Sequence, residues 1–175
     1  RALPVVSVAF AVRCGGMHES LNEKGISHFI EHLIYKGTRK RTHKQISEQI
    51  EKNGGILNGF TDETITAFWC KIPSNKLGIA LNVLSDMIKN SLFDSKEIEK
   101  ERRVIFEEIK MNKDNPIRRV LKEIQMCLYK EPFGISPLGT EKTLNSITRE
   151  KLIGRFKKFY QPNNLILCVV GDANF

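Results

Sequence analysis

The segments of this 175-residue chain that read as strands are spread so that one sheet must be assembled across the whole sequence. "PVVSVAFAV" (4–12) opens the chain. "ILNGF" (56–60) and "TITAFWCKI" (64–72) stand together, joined by a short polar turn, and "LILCVV" (165–170) comes near the end. Val, Ile, Phe, Trp and Thr dominate these runs, as strands require. Between them lie segments of helical period with their own start and stop signals. "NEKGISHFIEHLIYKGT" ends at Gly37, and "THKQISEQIEKNGG" opens on a Thr42-x-x-Gln45 capping box. Pro73 and Ser74 introduce "NKLGIALNVLSDMIKNSLF". Asp94-x-x-Glu97 caps a helix running to about Asn112, and Pro116 sits in the first turn of another over 116–129. The order strand, helices, strands, helices, strand predicts an α+β fold, with helices packed on one face of a mostly antiparallel sheet. One domain over 1–175 is expected from the length.

Composition narrows the class. Hydrophobic residues at 41% and charged residues at 27% are those of an ordinary soluble globular chain. No apolar run is long enough to span a membrane, and no signal-peptide core is visible. The sequence begins at Arg1 directly before a strand, so it reads as a piece of a longer chain. Cys14, Cys70, Cys127 and Cys168 show no paired metal spacing, and three lie in apolar strand-like runs. They are expected to be reduced, small and buried, in a cytoplasmic protein. The net charge of +8 is concentrated in part at "KGTRKRTHK" (36–44). No aromatic residues interleave with that stretch, so a solvated loop leading into a helix is the better reading than a nucleic-acid surface.

The most specific chemistry is "HFIEH" (28–32). Residues four apart on a helix share a face with Cβ atoms roughly 5–6 Å apart, so His28 and His32 can hold one ion. Zinc takes imidazole nitrogens, and a catalytic zinc needs three protein ligands with a position left for water. Glu31 stands next to His32, where it can reach that water. The order H-x-x-E-H mirrors the commoner H-E-x-x-H. A third ligand is expected on "EKERRVIFEEIKMN" (99–112). There Glu101 and Glu108 fall within about 20° of each other on a helix, flanked by Ile98, Val104, Ile105 and Ile109. Buried carboxylates need a partner, and a metal is one. Glu108 is therefore the ligand candidate. Glu107, about 100° away, is expected to be solvated. For Glu101, a role behind the ligands and a buried salt bridge remain equally open.

"GISHFIEHLIYKGT", "NGGILNGFTDETITAFW", "ERRVIFEEIKM" and "PLGTEKTL" follow one another as in the pitrilysin, insulinase and mitochondrial-processing-peptidase family of zinc peptidases, family M16, which the chain resembles over essentially its whole length. The resemblance implies that His28, His32 and Glu108 bind one zinc ion and that Glu31 is the general base, with Glu101 as the family's additional acidic position. It implies an endopeptidase whose substrate adds as an extended strand to Asn58-Gly59-Phe60-Thr61. It also implies that this is the N-terminal catalytic half, which needs a C-terminal half, fused or separate, and alone has little activity. The expected partners are thus a peptide, that second half and further copies in a homo-oligomer, with neither nucleic acid nor membrane among them. A non-catalytic structural or substrate-binding relative and, further off, a basic nucleic-acid-binding domain are the alternatives. Three positions depart from the family pattern: Thr64 for Glu, Gly59 for Ala, and Ile135 for Arg.

Overall fold

The computed structural model describes residues 3–173. Four strands form one sheet: β1 (Val5–Val12), β2 (Ile56–Thr61), β3 (Thr66–Pro73) and β4 (Leu165–Gly171). Their spatial order is β2-β3-β1-β4, with every neighbouring pair antiparallel. Val8 stands opposite Cys70 on one side and Val169 on the other, so β1 is central, and β2 and β4 are the edges. The alternation of strand side chains decides what is buried. Val6, Val8 and Val12 of β1 join Phe68, Cys70 and Ile72 of β3 in the core.

Helices cover that face. They are α1 (Ile26–Ile34), α2 (His43–Glu51), α3 (Leu77–Asn90), α4 (Ser95–Asp114), α5 (Pro116–Leu128), α6 (Glu141–Ser146) and α7 (Arg149–Phe159). The capping signals behave as their chemistry requires. Thr42 and Gln45 satisfy each other's backbone at the start of α2, Asp94 accepts from the N–H groups of Lys96 and Glu97, and Asn115 accepts from that of Arg118. The stretch 141–160, unassigned by pattern, is two helices separated at Ile147 and Thr148, with Thr148 capping the second.

Two expectations need correction. The basic segment 36–44 is not simply solvated. Arg41 Nη1 donates to Asp86 Oδ2 at 2.6 Å, and the buried Thr38 hydroxyl donates to the same oxygen at 2.7 Å. A buried carboxylate on α3 thus pins the segment, which charge counting along the sequence does not reveal. Of the cysteines, Cys14 and Cys70 are buried, but Cys168 is exposed because, paired with Ala9 next to the core pair Val8 and Val169, it lies on the face of the sheet away from the helices, and Cys127 is exposed on α5. Among the described residues, no helix is long and apolar enough to cross a membrane.

Candidate metal centre

Helix α1 owes its position to its first turn. Gly25 precedes it at φ 94°, a left-handed conformation open to glycine, and a Cβ there would lie 2.6 Å from the Leu138 carbonyl oxygen. The buried carboxylate of Glu19 accepts from the N–H groups of Gly25 and Ser27 at 3.0 and 2.8 Å. An anion at these unpaired donors stabilises the helix start. Burial nonetheless outweighs these bonds and pushes the Glu19 carboxyl above its usual range. The helix then carries His28, Glu31 and His32 against α4, which carries Glu101 and Glu108.

His28 Nε2 and His32 Nε2 each lie 3.5 Å from Glu108 Oε2, and the two rings meet edge to face with centroids 4.6 Å apart. One ligand atom from each of the three residues falls within 4.8 Å of the others. Around a tetrahedral zinc with ligand distances of 2.0–2.1 Å, neighbouring ligand atoms stand roughly 3.3–3.4 Å apart. The 3.5 Å separations match that spacing, and the donor set fits zinc. The carboxylate that meets the two histidines is Glu108, not Glu107, whose side chain is 67% exposed and pairs with Lys110.

Behind this cluster, Glu101 contacts both a histidine and a lysine. Its Oε2 sits 3.1 Å from His32 Nδ1, and its Oε1 receives Lys36 Nζ at 2.8 Å. With Glu101 as acceptor, His32 Nδ1 carries the hydrogen, and Nε2 keeps its lone pair toward Glu108 and His28. His28 Nδ1 is buried and finds no hydrogen-bond partner among the described residues.

The electrostatics separate the groups. Burial, helped by neighbouring His32 and opposed by Glu108, lowers His28 to about 4, so it is neutral and ligand-competent at pH 7. Burial also lowers His32, but its contacts with Glu108 and Glu101 and the nearby carboxylate charges outweigh this and raise it. Glu108 is held low, first by its contact with His32 and against burial, with His28 and Arg118 adding to the effect. Glu31 goes the other way. Burial raises its carboxyl, partly opposed by the Thr61 hydroxyl, which donates to Oε2 at 2.8 Å.

Thr61 ends β2, so the strand and the carboxylate of Glu31 are in contact. Asn58, Gly59 and Phe60 lie along the same edge strand. A cleft of about 310 Å³, lined by residues including Glu31, His32, Tyr35, Leu57 and Asn58, runs between α1 and the strand. Pattern reading missed Glu19 and Lys36. The position of Lys36, four residues after His32, was the available signal for the latter.

The sequence model of the insulinase family (Peptidase family M16) matches residues 2–141. The chain is 38% identical to an uncharacterized zinc protease of Rickettsia felis over 170 residues, 97% of this chain and 41% of that protein. It is 32% identical to the mitochondrial-processing peptidase subunit beta of Dictyostelium discoideum, over 97% of this chain and 37% of that one. It is also similar to the crystal structure of a protease from Helicobacter pylori, with a TM-score of 0.89 and 26% identity over 98% of this chain and 42% of that chain. The chain thus spans less than half the length of these relatives.

Proposed function

The chain belongs to peptidase family M16, and on that premise we propose that it forms the zinc-binding half of a metalloendopeptidase. The observation that carries this reading is the convergence of His28, His32 and Glu108 at zinc-ligand spacing beside a carboxylate, Glu31, that is no ligand. His28 Nε2, His32 Nε2 and a Glu108 oxygen would hold the ion. A zinc ion bound there supplies Lewis acidity to a water and to the scissile carbonyl.

The remaining chemistry belongs to the side chains. Glu31 takes a proton from the attacking water and returns it to the leaving amine, a role suited to a carboxyl raised above its usual range. Thr61 orients Glu31 through its hydroxyl. Glu101 holds His32 in the tautomer that leaves Nε2 free, and Lys36 holds Glu101. The substrate backbone pairs with the free edge of β2 at Asn58, Gly59, Phe60 and Thr61, where β3 occupies only the other side. Both halves of the family architecture are needed to orient the peptide and exclude bulk water.

The test is one set of variants in the full-length protein: Glu31→Gln, Glu108→Gln and Glu107→Gln. Zinc affinity is measured by chelator competition and turnover on an unfolded peptide. Glu31→Gln should keep zinc and lose about 10²–10⁴-fold in turnover. Glu108→Gln should lose zinc affinity, and Glu107→Gln should change neither. Wild-type zinc affinity in Glu108→Gln, or undiminished turnover in Glu31→Gln, would overturn the assignment.

A further inference from the structure

Helix α5 has no buried residue, although Ile117, Leu121, Ile124 and Leu128 repeat along one stripe at 73%, 63%, 48% and 70% exposure. Between this helix, the last turns of α4 and the loop 136–139 lies a groove of about 720 Å³. Its apolar lining includes Ile109, Leu121, Met126 and Leu138. It begins beside the candidate metal centre, since Ile109 follows Glu108 directly and Asn112 lies one helical turn beyond.

The charges that line this groove are of both signs, with cations in excess. Within the groove Arg119 is taken by Glu123, and Glu63 accepts from Gln125 Nε2 at 2.6 Å. Lys113, Arg118 and Lys122 line the groove with no ion pair among the described residues. Arg118 Nη1 only donates to the neutral Asn112 Oδ1, at 2.7 Å. Four cations, Lys113, Arg118, Arg119 and Lys122, and two carboxylates, Glu63 and Glu123, therefore border the apolar groove, and Arg118 is near enough to lower the Glu108 carboxyl.

We propose that this groove binds an acidic stretch of the peptide substrate, with apolar side chains interleaved, and so selects substrates by charge. The occupant follows from complementarity: carboxylates offset Lys113, Arg118 and Lys122, and apolar side chains cover Leu121 and Met126. A second copy of this chain is a poor occupant, because its net charge is also +8. The proposal rests on the peptidase reading for its catalytic consequence, but binding can be measured without turnover.

The experiment uses the full-length protein carrying Glu31→Gln, loaded with zinc, and fluorescence anisotropy with labelled twelve-residue peptides. The peptides alternate Leu with Glu, Gln or Lys, and a single-stranded oligonucleotide serves as a competitor. The Glu peptide should bind about tenfold tighter than the Gln peptide, an advantage that shrinks with added salt. Lys122→Gln and the triple variant Lys113→Gln, Arg118→Gln, Lys122→Gln should erase the preference stepwise. Lys52→Gln on α2 should leave it unchanged. Circular dichroism and zinc content establish that each variant is folded. Equal affinity for the Glu and Gln peptides, preference for the Lys peptide, or tighter binding of the oligonucleotide would overturn the proposal. So would a preference that survives the triple variant. In wild type, charge-selective binding without cleavage would leave the groove standing and remove the peptidase reading instead.

Discussion

Gly59→Ala is a single methyl in the middle of β2, and its cost should depend on one atom across the core. A Cβ at Gly59 would stand 2.5 Å from the Tyr35 hydroxyl oxygen, 2.8 Å from the Ala67 carbonyl oxygen and 3.2 Å from a Phe68 ring carbon. Relieving such crowding typically costs about 1–3 kcal/mol. The smaller unfolded-state entropy of Ala returns about 0.4–1 kcal/mol. The net expectation is a loss of about 1–2 kcal/mol. The Tyr35 hydroxyl is itself buried without a hydrogen-bond partner among the described residues. Burying such a group costs about 1–3 kcal/mol, so Tyr35→Phe should be neutral or stabilising and should vacate the tightest contact. In a chain already carrying Tyr35→Phe, Gly59→Ala keeps only the Ala67 and Phe68 contacts, and its cost should fall by about 1 kcal/mol. Urea unfolding of wild type, both single variants and the double variant completes the cycle, with unchanged m-values as the control. Additivity to within about 0.5 kcal/mol would refute the reasoning and place the strain at the Ala67 carbonyl. The pair also bears on the departure of Gly59 from the family's usual Ala, since a tyrosine oxygen occupies the space such a methyl would need.

Two further outcomes follow from buried groups. Burial alone would raise Asp86, but hydrogen bonds from Thr38, Asn90 and Arg41 outweigh it and hold its carboxyl below the ordinary range. Its folded pKa lies below its unfolded value, so its contribution is complete above about pH 4 and is lost as pH falls through the folded value. Asp86→Asn should therefore flatten the acid limb of stability against pH and cost about 3 kcal/mol at pH 7 by leaving Arg41 uncompensated; an unchanged acid limb would refute this. Burial pushes the Cys14 thiol up and the Cys70 thiol to about 11, whereas Cys127 and Cys168 are exposed. A thiol reagent should label two cysteines quickly in the native chain and all four in guanidinium, and four fast labels would show that the sheet opens readily.

What was legible in the sequence was what is local or periodic. The capping residues Thr42 and Asp94 act within three residues of themselves, and the i,i+4 spacing of His28 and His32 is a property of any α-helix. Helical phase, which separates Glu107 from Glu108 by about 100°, also placed Glu108 toward α1 and Glu107 toward solvent. Phase alone did not say which helix α4 would meet, and Val104, expected on the buried face, is 49% exposed. Contacts made across elements were out of reach. The hydroxyl of Thr61 on Glu31, Lys36 on Glu101, and Asp86 beneath the basic segment each depend on how β2, α4 and α3 pack. The strand-like look of "LILCVV" was correct, but a continuous apolar run does not say which face meets the helices, and so Cys168 was misplaced inside.

The sheet order has a temporal consequence. Thr61 and Thr66 pair across 5 residues of sequence, whereas Val12 and Leu165 pair across 153. Closing the longer loop costs about 3 kcal/mol more in chain entropy, by the logarithmic scaling of loop length. At about 5–20 residues per second, a ribosome needs roughly 5–18 s to make the chain from the end of β3 at Pro73 to Leu165. For that time the β2–β3 hairpin can form and dock on β1, while the backbone edge of β1 that β4 later takes waits for a partner. The nascent protein thus passes through a three-stranded stage with an open edge in its middle strand, the form most exposed to capture by a chaperone or to pairing with a neighbouring chain.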